Sequence, residues 1–233
     1  MFNLNVQKSG DDFIISTPYG FNITVPAADI AKISISHGNK KMGLIPSVSL
    51  PAIVTCNAAA PCARPGSLCY AQGMERNLLH NSVIKSYYKN LLLWMTDPAS
   101  YFMQVKAAAA VSAFFRYHVS GDIPGPEYFQ YMIDAARDIP HCQFLAFTKQ
   151  YKIVNNYIDA GGIIPDNLHV IYSSWFNWKC NNPHNLPVCE IVKDISTVPD
   201  NVYKCGGSCS NCCAARAGCF LAKNGDIIAI QEH

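Results

Sequence analysis

Hydrophobic and polar positions alternate with a period of two in several short runs and recur at helical spacing in others, and the switches between the two divide the chain. Residues 12–25, "DFIISTPYGFNITV", predict two short strands around Pro18-Tyr19-Gly20, a β-hairpin. Alternation returns at 33–36, ahead of a polar turn with His37, Gly38 and Asn39. From Asn81 to about Trp94, the residues Val83, Ile84, Tyr87, Tyr88, Leu91 and Leu92 fall on one helical face. Asp97-Pro98 starts a second helix that runs through an alanine-rich stretch to about Ala113. The texture then changes. "FFRYHVSGD" reads as a strand, "PGPEYFQYMIDAARDIP" as a helix with a proline start, and "CQFLAFTK" as a strand. "YKIVNNYIDAGG" reads as a helix closed by glycine, and "NLHVIYSSWF", "VCEIVKD" and "DIIAIQEH" as further strands.

Alternating strands and helices of this kind are the order of parallel βαβ units. The expected fold is α/β: a partial (β/α) barrel-like parallel sheet with an N-terminal β-hairpin and a cysteine-rich C-terminal cluster-binding segment. One domain is expected over residues 1–233. It comprises an N-terminal β region (1–50), a first cysteine loop (51–80), βα units (81–200), and a C-terminal cysteine cluster with a last strand (201–233). Half of the residues are hydrophobic and 15% are charged, as in a well-packed chain. Eighteen bases face 16 acids, a net charge of +2 with no basic run, so nothing electrostatic recommends nucleic acid or an anionic membrane as partner. The first residues lack the basic and apolar regions of a secretory signal, and no apolar run reaches membrane-span length. A cytoplasmic location is expected.

Eleven cysteines change the picture, because most are clustered. "CNAAAPCARPGSLC" spaces Cys56, Cys62 and Cys69 as C-x5-C-x6-C in a segment that Pro61, Pro65 and Gly66 keep out of helix and strand. Those gaps are wide for a zinc knuckle and suit the looser loops of an iron–sulfur cluster, with three thiolates leaving one iron open. "CGGSCSNCCAARAGC" offers Cys205, Cys209, Cys212 and Cys219, a set that suits either a [4Fe–4S] cluster or tetrahedral zinc; Cys213 is a spare or stands in for Cys212. In a reducing compartment such clusters favour metal or redox chemistry over disulfides. Cys180, His184 and Cys189 match no metal spacing tightly, and Cys142 reads as a buried residue at a strand start.

Together, "ISISHGNKKMG", "SLPA", "CNAAAPCARPGSLCYA", "FFRYHVSGD", "FLAFTK" and the closing "CGGSCSNCC" resemble the phage-encoded Gene product 88 family. The resemblance implies an iron–sulfur protein of viral origin, acting in the host cytoplasm. A looser similarity is to radical S-adenosylmethionine (SAM) enzymes. In these, a three-cysteine loop feeds an open [4Fe–4S] cluster, and a glycine-bearing acidic motif ends the next strand. "CYA" followed by "HVSGD" has that order. The spacing here is wider than that family's C-x3-C-x2-C, and Tyr70 follows the last cysteine instead of an aromatic preceding it. This likeness implies cofactor contacts at Tyr70, Ser120 and Gly121, with SAM as a candidate cofactor beside one or two [4Fe–4S] clusters.

Period-two alternation puts Arg116, His118 and Ser120 on one face of the 115–120 strand, with Asp122 at its rim. Lys149 and Trp175 end the next two strands. Arg116, His118, Asp122 and Lys149 are the candidate catalytic residues, at the strand ends where α/β sites lie. The bland alternative is a structural Arg116–Asp122 ion pair and a satisfied core histidine. His37 and Asn39 are weaker candidates, and His233 reads as a chain end. The expected function is an open-site iron–sulfur enzyme performing sulfur transfer, desulfuration or radical-SAM-like chemistry on a small molecule, with an electron donor as partner. The alternatives are an electron-transfer or redox-sensing protein and a zinc-stabilised viral interaction protein.

Overall fold

The computed structural model describes residues 4–64, 67, 69–175, 178, 180–215 and 218–232. Pro65, Gly66 and His233, named above, lie outside the described residues. Three antiparallel strands open the chain: β1 (Asn5–Ser9), β2 (Asp12–Ser16) and β3 (Asn22–Pro26). β2 and β3 are the predicted hairpin, and Gly20 supplies its turn with φ of 86°. β1 was not predicted; only its Val6, with Leu4 before it, packs on the core. After α1 (Ala27–Ile30) come β4 (Ile35–Ser36) and β5 (Ser47–Val48), then α2 (Tyr70–Arg76), α3 (Asn81–Thr96) and α4 (Pro98–Ala110). Pro98 occupies the first turn of α4 and the Asp97 side chain accepts from Ser100 N at 2.9 Å, the start read from sequence. β6 (Phe114–Tyr117), α5 (Pro126–Asp138), β7 (Gln143–Thr148), α6 (Tyr151–Asp159) and β8 (Leu168–Ser173) follow in the predicted alternation. The chain continues with β9 (Val188–Val192), β10 (Tyr203–Lys204), α7 (Cys209–Ala214) and β11 (Ile227–Gln231).

The last eight strands form one sheet in the order β10-β11-β9-β8-β7-β6-β5-β4, parallel throughout except for the β4–β5 pair. From β5 to β9, sequence neighbours are sheet neighbours, the simplest outcome for successive crossover connections. Both faces of the sheet are covered, which explains a run as continuously apolar as "FLAF". On one face, Phe115, Tyr117, Phe144, Ala146, Leu168, Val170 and Tyr172 pack against Leu91, Trp94, Tyr101, Phe102, Tyr128, Met132 and Val154 of the helices. Ile15, Ile23 and Val25 of the N-terminal sheet belong to the same core.

Alternate residues on the other face, Leu145, Ile171, Cys189 and Ile228, form a second core with Met42, Ile45 and Phe220. Cys209, Cys213, Cys219 and Phe220 pack on this core. Cys205 N donates to Ala229 O at 2.8 Å beside β10, and Cys209 N donates to Lys41 O at 2.8 Å in the loop between β4 and β5. That loop approaches so closely that a Cβ on Gly43 would lie 2.6 Å from Ser210 Cβ. Among the described residues no helix is long and apolar enough to cross a membrane.

Gly121, just past β6, has φ of 81°, and a Cβ there would meet Leu50 O at 2.6 Å and Thr55 Oγ1 at 2.7 Å. Substitution G121A combines left-handed strain with a backbone clash and is expected to destabilise the protein by about 2–4 kcal/mol. Urea unfolding followed by circular dichroism measures this; an unchanged midpoint would contradict the close packing of this turn on the cysteine loop.

Candidate functional site

The first thiol set is carried by a loop docked on the carboxyl ends of β6 and β7. Asn57 Nδ2 donates to Lys149 O at 2.9 Å, Gln150 Nε2 donates to Thr55 O at 3.2 Å, and Asp122 N donates to Thr55 Oγ1 at 3.0 Å. Within the loop, the buried Gln72 side chain of α2 donates to Cys62 O at 2.6 Å and to Arg64 O at 3.0 Å. Ile53 takes φ of 64°, an unusual value for a β-branched residue, so the surrounding contacts hold the entry to this loop in a strained shape. Cys56, Cys62 and Cys69 gather with Ala60, Ala63, Trp175 and Trp178 in one apolar cluster. Burial pushes the Cys56 thiol up, with the Asp122 carboxylate adding to the effect. Burial also raises Cys62, while the Lys149 ammonium opposes the rise.

The second set follows β10 and packs on the core formed by Leu145, Ile171, Cys189 and Ile228. Cys209, Cys212 and Cys213 recur at helical spacing on α7, with Cys205 before it and Cys219 after. Cys205, Cys209 and Cys219 lie within electrostatic reach of one another, and Cys212 lies within reach of Cys209. Cys213, read from sequence as a spare, packs into the second core with Cys209 and Cys219; burial raises its thiol to about 11. The Tyr203 hydroxyl contacts Cys212 Sγ at 3.0 Å. Cys189 of β9 lies beneath, near Cys205 and Cys219, and burial raises its thiol to about 12. It does not join Cys180, which packs toward the helix-side core, and His184 pairs with Asp159 at 2.9 Å. All eleven cysteines are free thiols. Among the described residues no three His, Cys, Asp or Glu side chains meet closely enough to hold one metal ion.

Two cations stand near the sets. Arg116 Nη1 lies 3.9 Å from Cys209 Sγ, and its guanidinium carbon lies 5.2 Å from the Phe147 ring. Its Nε is buried without a partner, and among the described residues no carboxylate pairs with it. The Arg116–Asp122 ion pair does not form. Lys149 Nζ donates to Ser173 Oγ at 2.7 Å and lies 5.5 Å from the Trp175 ring centre.

The strand alternation fails just past β6. His118 has φ of 54°, which turns its ring away from Arg116 to the helix side, where Nε2 meets Tyr128 OH at 3.1 Å. Tyr128 OH in turn meets Tyr101 OH at 2.8 Å. Burial pushes His118 down to about 3, so the imidazole stays neutral. The expectation that it shares a face with Arg116 is corrected, and its Nδ1 is buried with no partner among the described residues. Ser120 is also turned inward: its Oγ donates to Glu75 Oε1 at 2.7 Å. The buried Asp122 carboxylate accepts from Ile123 N at 2.7 Å, Thr148 Oγ1 at 2.6 Å and Lys149 N at 2.8 Å. Burial raises its pKa against these bonds. The Tyr70 hydroxyl donates to the Val119 carbonyl. His37 is exposed, and Asn39 serves its own loop, its Oδ1 accepting from Lys41 N and Met42 N.

Glu75 escapes sequence reading. It sits on α2, fully buried, and accepts from Ala52 N at 2.8 Å, Ser120 Oγ at 2.7 Å and Tyr19 OH at 3.2 Å. It ties the N-terminal sheet, the cysteine loop and the turn after β6 to one carboxylate. A Glu within "YAQGMER" carries no outward sign of burial; the glycine and the neighbouring cysteine loop hid the helix that places it.

These features define an α/β protein with one set of free thiols in a loop at the carboxyl ends of a largely parallel sheet and a second set packed over one of its faces, with Lys149 near the first and Arg116 near the second. The Gene product 88 family model matches residues 27–178, about two thirds of the chain, and the protein belongs to that family. The matched span holds the first thiol set, Arg116 and Lys149; the second set lies beyond it. No curated protein and no solved structure matches the chain.

Burial lifts the Glu75 pKa from 4.5 to about 7, with its three hydrogen bonds opposing the rise. The folded protein thus holds this proton more tightly than the unfolded chain does. The associated stability is fully present below about pH 4.5 and is lost as pH rises through about 7. Between pH 5 and 8 the wild type is expected to lose about 2–3 kcal/mol that E75Q does not lose. Urea unfolding of both proteins at each pH measures the difference; parallel pH profiles would contradict it.

Proposed function

We propose that this Gene product 88 protein is an iron–sulfur enzyme of phage type, with Cys56, Cys62 and Cys69 holding a [4Fe–4S] cluster that leaves one iron open. Cys205, Cys209, Cys212 and Cys219 hold a second cluster, and the β5–β9 succession forms a partial (β/α) barrel. The observation that carries this reading is Arg116: a cation without a carboxylate partner among the described residues, turned toward the Cys209 thiol, which burial pushes up. A cation so placed is costly without a counter-charge. Thiols that release their protons on loading a metal group supply that charge, and soft sulfur ligands suit iron. Two separate sets of free thiols fit two such groups.

When bound, an open-site cluster supplies a Lewis-acidic iron for a substrate's sulfur and a one-electron couple. The chain's own residues do the rest. Trp175 and Trp178 wall the first thiol set, Lys149 brings a positive charge beside Cys62, and Arg116 compensates the thiolates of the second set. We favour sulfur transfer or desulfuration, because Ser120 and Asp122 spend their polar groups inside the protein and contacts fill the space above Gly121. The order of the cysteine loop after β5 and the Ser-Gly-Asp turn after β6 favours, as a second reading, reduction of bound SAM.

The test is anaerobic purification with iron, sulfide and zinc determination, and electron paramagnetic resonance of the dithionite-reduced protein with and without SAM. About eight irons and eight sulfides per chain are expected, four of each per cluster. Single C56S, C62S or C69S variants should lose about half of both and keep the rest. A spectrum changed by SAM moves the reading to radical chemistry. Full cluster content with no small-molecule response of any kind moves it to electron transfer. Zinc without sulfide, after anaerobic reconstitution has also failed, overturns it.

A further inference from the structure

The ends of β7 and β8 carry a group of contacts that neither thiol set requires. Lys149 Nζ commits one N–H to Ser173 Oγ at 2.7 Å, which makes Ser173 the acceptor. The Ser173 hydroxyl therefore keeps its own hydrogen, for which there is no acceptor among the described residues. Asp122, the carboxylate that Lys149 feels, has both oxygens taken by Thr148, Ile123 and the Lys149 backbone. An ammonium and a hydroxyl side by side thus present donors suited to the two oxygens of a carboxylate.

The surroundings are apolar and firmly held. Trp175 and Trp178 form a β-bridge with Trp178 N donating to Trp175 O at 2.8 Å, and both pack against the cluster of Ala60, Cys62 and Ala63. Tyr151 stacks on Trp178 at 5.2 Å between ring centres and donates to Ser173 O at 2.5 Å. Lys149 is also close enough to oppose the burial-driven rise of the Cys62 thiol. Donor pair, aromatic wall and sulfur site therefore adjoin.

We infer that Lys149 and Ser173 form a carboxylate-binding subsite beside the first thiol set, and that the substrate is a short compound carrying a sulfur at one end and a carboxylate at the other. The carboxylate sits on Lys149 Nζ and Ser173 Oγ, the aliphatic stem lies against Trp175 and Trp178, and the sulfur is directed to the metal site held by Cys56, Cys62 and Cys69. This inference rests on the open-cluster reading.

The experiment uses anaerobically purified full-length protein and three probes: 3-mercaptopropionate, 2-mercaptoethylamine and propionate. Binding is followed by tryptophan fluorescence and by the resonance spectrum of the reduced protein. The anionic thiol is expected to bind about tenfold or more tightly than the cationic one and to change the spectrum, while propionate binds without changing it. K149M should abolish the preference at unchanged iron content, S173A should weaken binding of the anionic thiol several-fold, and K149R should retain the preference. Equal binding of the two thiols, or a K149M protein that keeps the preference, overturns the inference while iron and sulfide contents leave the cluster reading standing. Absence of iron and sulfide overturns both.

Discussion

One buried carboxylate fixes the relation between the cysteine loop and the sheet. Asp122 closes the turn after β6 onto the end of β7 through Thr148 and the Lys149 backbone, and its own N–H fastens Thr55 of the loop. A carboxylate taken out of water must have its oxygens satisfied. Three donors from two strand ends do this, and they leave little freedom in where Cys56 begins. Gly121 completes the knot by letting the Leu50 carbonyl approach to a distance no side chain would tolerate. The positions of Lys149 and the first thiol set follow from it.

A second tier of constraint comes from burial on both faces. The helix face is filled in the ordinary way, by aromatic and branched residues from α3 to α6. The other face is filled by the cysteine segment, with Phe220 edge-on to Phe114 at 5.1 Å between ring centres. On the proposed iron–sulfur reading, the ligating stretch and the core-forming stretch are the same residues, so that loss of the group and loosening of the fold would be linked by mass action.

Much of this was legible in the chain, because period-two and helical runs depend on burial alone. The hairpin, α3 to α6, and strands β6 to β9 and β11 stand where the pattern put them, and the proline and aspartate at α4 mark its first turn. Two-residue strands such as β5 and β10 leave no period to read. His118 and Ser120 misled because alternation assumes extended backbone, and a positive φ at His118 reverses which face its ring meets. Neighbourhood across the sheet was equally hidden: that Cys189 lies under Cys205 and Cys219 depends on β11 inserting between β9 and β10. Glu75 was missed because burial of a charged residue follows from what surrounds it, not from its own spacing.

The loop "HGNKKMG" lies within the family match, and the cysteine segment it grips through the Lys41 carbonyl and Gly43 lies outside it. That grip has a consequence for biosynthesis. The covering segment follows β4 to β10 in the chain, so during translation Leu145, Ile171 and Cys189 emerge with Met42 and Ile45 already made and Phe220 and the last cysteines still to come. A nascent chain halted after β9 would present an apolar, thiol-bearing surface to the cell, a liability for chains that fold as they emerge. Arrival of the last cysteines and Phe220 completes the cover of that surface.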